Sequence, residues 1–318
     1  MQDERIELGR SGVHAPLLGL GTWQWGDTRI WRYGQDYAEA EIEAAFDAAL
    51  SADIDLFDTA EMYGQGRSER FLGQFVRGRV AAGGARPVIA TKYMPYPWRL
   101  TRGRLAAALH SSLDRLGLAQ VDLYQVHWPL PPRSVTTWAE ALADVVEAGL
   151  ARAVGVSNHS TDQMRRVHEA LARRGVPLAS NQVQYSLLHR RPEQNGLFAA
   201  CRELGVTLIA YSPLAKGLLT GKYAPGSRPA GPRGWRYNDG LLAKIGPLNG
   251  LLRDIGQAHG KTPGQVSLNW LICRGALPIP GAKNARQAAE NAGALGWRLN
   301  ADEMAALEQA ADATGVTA

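Results

Sequence analysis

The sequence predicts an α/β fold, namely a (β/α)8 TIM barrel with an N-terminal β-hairpin and a C-terminal extra helix. Eight short apolar segments, rich in β-branched residues, alternate with segments of helical periodicity. Parallel strands need a crossover helix for each return, and eight such repeats favour a closed barrel over an open sheet. The length of 318 residues suits one barrel, and no break in composition marks a second domain. We therefore expect residues 1–318 to form a single domain.

The predicted strands are short and bounded by turn or polar residues. In chain order they are residues 17–23, 56–60, 88–93, 121–127, 152–158, 179–186, 205–212 and 276–282. Helical periodicity follows them at residues 38–51, 67–78, 101–116, 136–147, 160–173, 192–204, 262–273 and 284–293. Each strand is thus paired with a helix long enough to return the chain to the start of the next strand.

Three segments fall outside this repeat. Residues 5–15 suggest a hairpin around Gly9 and Gly12 that closes the bottom of the barrel. Residues 214–246 are rich in Gly, Pro and Arg, and this pattern predicts a long loop of the kind that is usually functional or mobile. Residues 301–313 predict a terminal helix that packs outside the barrel.

Composition and charge limit the classes of protein. Hydrophobic residues make up 45% of the chain and charged residues 20%, which suits a large core. The net charge of +5 is too small and too scattered to indicate nucleic acid, but it suits a basic pocket for a phosphorylated ligand. Two isolated cysteines predict no metal or redox site. A polar N-terminus and the lack of a long apolar run predict a cytoplasmic protein without a membrane span.

Polar residues cluster at the carboxyl ends of the predicted strands. In a barrel these ends meet at one face, where the loops after the strands build the active site. For any single position, a solvated strand cap is an equally good interpretation, but six such positions on one face favour a site. They are Asp58, Lys92, His127, Ser157 with Asn158, Gln182 with Gln184, and Tyr211 with Ser212.

Three of these side chains, Asp58, Lys92 and His127, together with Tyr63 suit the reduction of a carbonyl group. Hydride addition creates an alkoxide that needs a proton, and the phenol of Tyr63, five residues after Asp58, is a candidate donor. An ammonium from Lys92 lowers the pKa of a nearby phenol, and Asp58 holds that ammonium in place. A neutral His127 can donate a hydrogen bond to the carbonyl oxygen. The alternative is a structural ion pair beside a core tyrosine and histidine.

The motifs around these residues resemble the aldo-keto reductase superfamily, in order from about Leu18 to Asn291. They are GLGTWQWG (19–26), FDTAEMYG (57–64), ATKY (90–93), QVHWP (125–129), GVSN (155–158), NQVQYS (181–186), YSPLAKGLLTGKY (211–223) and IPGAKNARQAAEN (279–291). The resemblance implies a barrel with a catalytic tetrad of Asp58, Tyr63, Lys92 and His127. It also implies an NADP(H)-dependent carbonyl reductase or alcohol dehydrogenase that binds a nicotinamide cofactor without a Rossmann fold.

The resemblance further implies which residues hold the cofactor. The nicotinamide would lie among the residues Gly21, Thr22, Trp23, Asp58, Ser157, Asn158, Gln182 and Tyr211. The pyrophosphate would be covered by Ser212, Pro213, Leu214, Gly217 and Lys222. The adenosine end would contact Gly281, Lys283, Gln287, Glu290 and Asn291.

Charge at the adenosine end favours NADP(H), with NAD(H) possible at lower preference. Lys283 and Arg286 precede or begin a predicted helix, and their charge suits an extra phosphate. Gln287 stands where strongly NADPH-selective members of the family carry Arg, which predicts moderate selectivity. Arg286 as a solvated helix residue is the competing interpretation.

Aromatic residues in the predicted loops indicate an apolar or aromatic carbonyl substrate. The loop aromatics are Trp25, Trp31, Tyr33, Tyr96, Trp98, Trp128, Trp235 and Tyr237. As single residues they are more often packing anchors, but as a group they suggest a pocket. The predicted substrate contacts are Trp25, Trp98 and Trp128, beside Tyr63 and His127.

Two other functions are consistent with the same sequence. Two of the motifs are also similar to those of potassium-channel beta subunits, which couple cofactor state to a partner protein. A dehydrogenase for a sugar or cyclitol would use the same four residues in the reverse direction. The presence of His127 favours a free-standing enzyme on a small-molecule carbonyl, as a monomer or a homo-oligomer.

Overall fold

The computed structural model describes residues 4–228 and 237–317. The chain starts with a hairpin of two antiparallel strands, β1 (Arg5–Glu7) and β2 (His14–Pro16), in which Ile6 pairs with Ala15. The predicted hairpin is therefore confirmed. Its turn is consistent with the sequence, because Gly9 and Gly12 both adopt positive φ, which glycine tolerates best.

Eight parallel strands follow in sequential order, so each strand pairs with its neighbours in the chain. They are β3 (Leu20–Gly21), β4 (Leu56–Asp58), β5 (Val88–Tyr93), β6 (Val121–Val126), β7 (Ala151–Ser157), β8 (Leu178–Gln184), β9 (Thr207–Tyr211) and β10 (Leu277–Pro278). The first and last strands meet, since Gly19 N donates to Pro278 O at 3.0 Å and Gly21 N to Pro280 O at 3.0 Å. These bonds close the sheet into the predicted barrel.

Helices surround the barrel and return the chain between strands. They are α1 (Glu39–Leu50), α2 (Arg67–Ala81), α3 (Gly103–Leu116), α4 (Val135–Glu147), α5 (Thr161–Ala172), α6 (Arg191–Gln194), α7 (Leu197–Leu204), α8 (Asp239–His259), α9 (Pro263–Arg274), α10 (Ala285–Ala292) and α11 (Ala301–Ala313). Two 3-10 helices, Tyr63–Gly66 and Ala215–Thr220, lie in loops at the carboxyl face. Most predicted helices are confirmed within a few residues.

Two helical predictions are wrong in detail. The helix expected at 192–204 is divided into α6 and α7, because Gly196 adopts φ 76° and interrupts the helical path. Part of the loop expected at 214–246 is the start of α8, a 21-residue helix that contains Pro247. An internal proline argues against a helix, but Leu242, Ile245, Leu248 and Leu252 are all buried and stabilise α8 by packing.

The hairpin packs under the barrel as expected. Leu8, Val13 and Ala15 are buried against side chains from the barrel interior, including Leu123 and Ile209. This apolar floor leaves the opposite, carboxyl face of the barrel for polar groups. The predicted terminal helix is also present as α11, which lies against α8 on the outside. Within the described ranges, we find no helix long and apolar enough to cross a membrane.

Candidate active site

A buried ion pair lies at the carboxyl ends of β4 and β5. Lys92 is 0% exposed, and its Nζ donates to Asp58 Oδ2 at 2.5 Å and to Thr59 O at 2.8 Å. The same Nζ lies 3.5 Å from Tyr63 Oη. Because β4 and β5 are adjacent parallel strands, their ends bring both side chains to one edge of the barrel mouth. The ammonium thus contacts a carboxylate and a phenol together.

The second carboxylate oxygen of Asp58 is also bound. Gln182 Nε2 donates to Asp58 Oδ1 at 2.8 Å, and Gln125 Nε2 lies 3.4 Å from the same oxygen. A buried carboxylate is costly unless it is paired and hydrogen-bonded, and these contacts supply both conditions. Asp58 is thereby fixed in the orientation that holds Lys92.

Tyr63 and His127 face each other at the floor of a cleft. Tyr63 begins the short 3-10 helix after β4, and His127 follows β6. Their ring centroids are 5.7 Å apart, with the planes nearly perpendicular at 78°. The Tyr63 ring also lies 6.4 Å from the Trp23 ring. Tyr63 therefore has both an imidazole and an indole as ring neighbours.

Burial changes the proton affinity of these groups. Burial, together with the charge of Lys92, lowers the pKa of His127 to about 3, so the imidazole is neutral at pH 7. Burial lowers the pKa of Lys92, but the carboxylate of Asp58 and the phenol raise it by more. Burial raises the pKa of Tyr63, and the ammonium of Lys92 only partly offsets this. The expected lowering by Lys92 is present, but the net shift of the phenol is upward.

A cleft of about 780 Å³ runs across the barrel mouth from this cluster. Its volume is in the range of ligand-binding pockets. Most of the residues predicted for the site line it, namely Gly21, Trp23, Asp58, Tyr63, His127, Trp128, Ser157, Asn158, Gln182, Tyr211, Ser212, Pro213, Leu214, Gly217, Lys222, Gly281, Lys283, Gln287, Glu290 and Asn291.

Three predicted contacts lie elsewhere. Trp25 is 0% exposed and donates its Nε1–H to Ala282 O, so it packs beneath the cleft and cannot contact a substrate. Trp98 is 72% exposed and stacks on Tyr96 outside the cleft lining. Thr22 is buried behind the site, where its Oγ1 donates to Asp58 O at 3.0 Å. The positions of these residues in the sequence did not show whether each contacts a ligand, packs in the interior or faces solvent.

The other loop aromatics also separate into lining and packing residues. Trp31 lines the cleft, as Trp128 does. Tyr33 packs against Phe71, and Tyr237 is buried and does not line the cleft. Trp235 lies outside the described residues. Fewer of the loop aromatics therefore line the cleft than the sequence predicted.

Polar side chains at the carboxyl ends of β7, β8 and β9 form a connected group at one wall of the cleft. Ser157 Oγ donates to Gln182 O at 2.8 Å, and Tyr211 Oη donates to Asn158 Oδ1 at 3.0 Å. Asn158 and Ser212 adopt φ of 60° and 51°, which is uncommon for residues with a side chain. Strain of this kind is concentrated at functional sites. The amides of Asn158 and Gln182 and the side chain of Tyr211 thus line the cleft together.

The segments after β9 and β10 give the cleft a basic lining. Lys216, Lys222, Lys283 and Arg286 all contribute to its lining. A Cβ on Gly281 would lie 2.0 Å from Gln24 Oε1, so a larger residue there would displace the Gln24 amide. Four cations along one half of the cleft can hold a ligand with several phosphate groups.

Some lining residues were not predicted as site residues. Gln24, Met62, Lys216, Thr220, Ile279 and Pro280 also face the cleft. Lys216 and Thr220 lie inside the YSPLAKGLLTGKY motif, which offered a signal for them. Gln24 and Met62 likewise lie inside the motifs GLGTWQWG and FDTAEMYG, and Ile279 and Pro280 begin IPGAKNARQAAEN.

An ion pair ties the Tyr63 loop to the loop after β5. Glu61 Oε1 accepts from Met94 N at 2.7 Å and from Arg99 at 2.5 Å. The backbone N of Glu61 donates to Lys92 O at 3.3 Å. Glu61 therefore continues the contact between β4 and β5 beyond the strands, two residues before Tyr63. Glu61 was not among the residues predicted for the site.

A closed barrel with this cluster and a basic cleft defines an oxidoreductase built on a (β/α)8 barrel. A model of the Aldo/keto reductase family matches residues 17–312. The chain belongs to this family, as its motifs predicted.

Known relatives cover nearly the whole chain. A chloroplastic pyridoxal reductase of Arabidopsis thaliana is 43% identical over 97% of this chain and 86% of the relative. The structure of a glycerol dehydrogenase from Gluconobacter oxydans has a TM-score of 0.82 at 25% identity, covering 98% of this chain and 95% of that one. An aldo-keto reductase from Klebsiella pneumoniae in complex with NADPH has a TM-score of 0.75 at 29% identity, covering 97% and 95%.

Proposed function

We propose that this protein reduces aldehyde or ketone carbonyls to alcohols with NADP(H), using Tyr63 as the proton donor. The observation that carries the proposal is the position of the Lys92 ammonium, which contacts Asp58 and lies within 3.5 Å of Tyr63 Oη at the cleft floor. When bound, NADPH supplies the hydride. The residues of this chain bind and orient the carbonyl and deliver the proton.

Tyr63 acts as the general acid in this proposal. Its raised pKa keeps the phenol protonated at neutral pH, so it can donate a proton to a developing alkoxide. The adjacent ammonium of Lys92 then stabilises the phenolate that remains. Asp58 keeps Lys92 charged and in place, and neutral His127 offers an N–H to the carbonyl oxygen.

The lining residues of the cleft suit the binding of each part of NADP(H). The amides of Asn158 and Gln182 and the ring of Tyr211 would hold the nicotinamide end. The glycines and lysines of the loop after β9 would hold the pyrophosphate, and Lys283 with Arg286 would lie at the adenosine end. The related Klebsiella structure in complex with NADPH supports this assignment. NAD(H) would be used with lower preference, because Lys283 and Arg286 favour the extra phosphate of NADP(H). The neutral Gln287 keeps this selectivity moderate.

The substrate we propose is a planar aromatic aldehyde of the pyridoxal type. Trp23, Trp31, Met62 and Trp128 give the catalytic end of the cleft a largely apolar, aromatic lining. The lining cations come from the segments after β9 and β10, and among them Lys283 contacts Trp31 at this end. The relative named as a pyridoxal reductase supports this substrate class.

Cytoplasmic location remains a prediction, as does assembly as a monomer or homo-oligomer.

Polyol oxidation is the second candidate, because one similar structure is named as a glycerol dehydrogenase.

A substrate panel distinguishes carbonyl reduction from polyol oxidation. Purified protein is assayed with NADPH and with NADH on pyridoxal, benzaldehyde and glyceraldehyde, and with NADP+ on glycerol and cyclic polyols. We expect the highest kcat/KM for pyridoxal with NADPH. Preference for a polyol would contradict the substrate class. Tight NADPH binding without turnover on any compound would instead indicate a cofactor-sensing subunit.

A further inference from the structure

Lys283 is engaged by the loop between β3 and α1. Its Nζ donates to Trp31 O at 3.1 Å. The same ammonium lies 5.2 Å from the centre of the Trp31 ring and 4.4 Å from that of Tyr37. Both aromatic side chains are buried. Cation–π contacts strengthen when the groups are shielded from water, so this is a substantial attachment.

The segment 27–37 contacts distant elements through the Tyr33 ring, which packs on Phe71 of α2, and through Lys283. It contains no helix or barrel strand. Its turn is local, because Asp27 Oδ1 accepts from the backbone N–H groups of residues 29, 30 and 31. Tyr37 Oη donates to Gln24 O at 2.5 Å, which is a bond within the same loop. Lys283 comes from the other side of the chain, after β10, and connects this loop to a distant element.

Trp31 connects the Lys283 contact to the catalytic end of the cleft. Its ring packs edge-on against Trp23 at 5.5 Å, and Trp23 lies 6.4 Å from Tyr63. Trp23 and Trp31 both line the cleft. A change in the position of the Trp31 segment would therefore move one wall of the substrate end.

We propose that Lys283 is a positioning residue that holds segment 27–37, and through Trp31 the aromatic wall beside Tyr63. This role is separate from any contact of Lys283 with a cofactor phosphate. Arg286 is the contrasting cation, since its side chain is 77% exposed and pairs only with Glu290 of the same helix, at 3.3 Å, among the ion pairs of the described residues. An exposed pair of this kind is weak.

The first test needs no cofactor, so it is independent of the proposed function. Hydrogen–deuterium exchange is measured for Lys283→Met, Lys283→Arg and the matched control Arg286→Met. We expect amides in residues 27–37 to exchange about tenfold faster in K283M, because a cation–π contact and a charged hydrogen bond are lost. K283R keeps a cation that stacks and donates, so it should retain slow exchange, as should R286M. Unchanged exchange in K283M, or exchange in K283R as fast as in K283M, would overturn the proposal.

The second test rests on the proposed function and uses steady-state kinetics. K283M should raise KM for an aromatic aldehyde by a similar factor with NADPH and with NADH, because the wall of the site is displaced in both cases. R286M should change the ratio of NADPH to NADH use instead. A K283M variant that lost only NADPH affinity would show Lys283 to be a phosphate ligand without the positioning role. A wild-type protein without turnover would contradict the proposed function and leave the exchange result intact.

Discussion

Lys92 Nζ lies 2.5 Å from Asp58 Oδ2, and both side chains are withdrawn from solvent at the floor of the cleft. Removing one partner of a buried ion pair leaves an uncompensated charge. The pair therefore has a structural effect that can be measured separately from catalysis.

Asp58→Asn should destabilise the protein by about 3–5 kcal/mol, because Lys92 would remain buried without a carboxylate. The measurement is urea unfolding followed by circular dichroism. Glu203→Gln is the control, since Glu203 forms an exposed pair with Arg165 and should cost less than about 1 kcal/mol. Equal effects of the two substitutions would show that the Asp58–Lys92 pair is not effectively buried.

The pH dependence of stability should report His127. Its folded pKa of about 3 lies below the ordinary value of 6.5, so the unfolded chain takes up the proton first. Stability is therefore fully present above about pH 6.5 and is lost as pH falls toward 3, by up to about 1.4 kcal/mol per pH unit. His127→Gln should remove this contribution between pH 6.5 and 4. A wild-type slope in H127Q, measured by urea unfolding at several pH values, would contradict a buried neutral imidazole.

The pH dependence of turnover depends on the protonation of both His127 and Tyr63. Because the pKa of His127 is lowered and that of Tyr63 is raised, neither group changes protonation between pH 5 and 8. Single-turnover reduction rates should be level over this range. A step near pH 6.5 that disappears in H127Q would show a histidine titrating during the reaction.

Glu61 should affect the rate through the position of Tyr63. Glu61→Ala removes the acceptor for Met94 N and the partner of Arg99, which frees the Tyr63 loop from the loop after β5. We expect kcat to fall about tenfold or more, with the KM for NADPH unchanged, because small displacements of reacting groups are costly. Glu61→Gln keeps an acceptor oxygen and should lose less. A larger effect of Gln than of Ala would contradict this role.

Much of the fold could be predicted because strand and helix patterns alternate clearly. The motifs indicated which side chains at the strand ends belong to the candidate site. Helix α8 was missed because Pro247 interrupts the pattern, while its stability comes from the burial of its own apolar residues, including Leu242, Leu248 and Leu252, by tertiary packing. Trp25 and Trp98 were misplaced because loop position does not distinguish a buried anchor from a solvent-exposed ring. Only the folded chain brings Lys283 to Trp31.

The central claim is that Tyr63 donates the proton, and Tyr63→Phe tests it most directly. Single-turnover oxidation of NADPH is followed by absorbance with pyridoxal as substrate, and NADPH affinity is measured by fluorescence titration. The account predicts a rate about 10²–10⁴-fold lower with NADPH binding retained, because the aromatic ring stays and only the hydroxyl is lost. A variant that keeps more than about a tenth of the wild-type rate would contradict the claim.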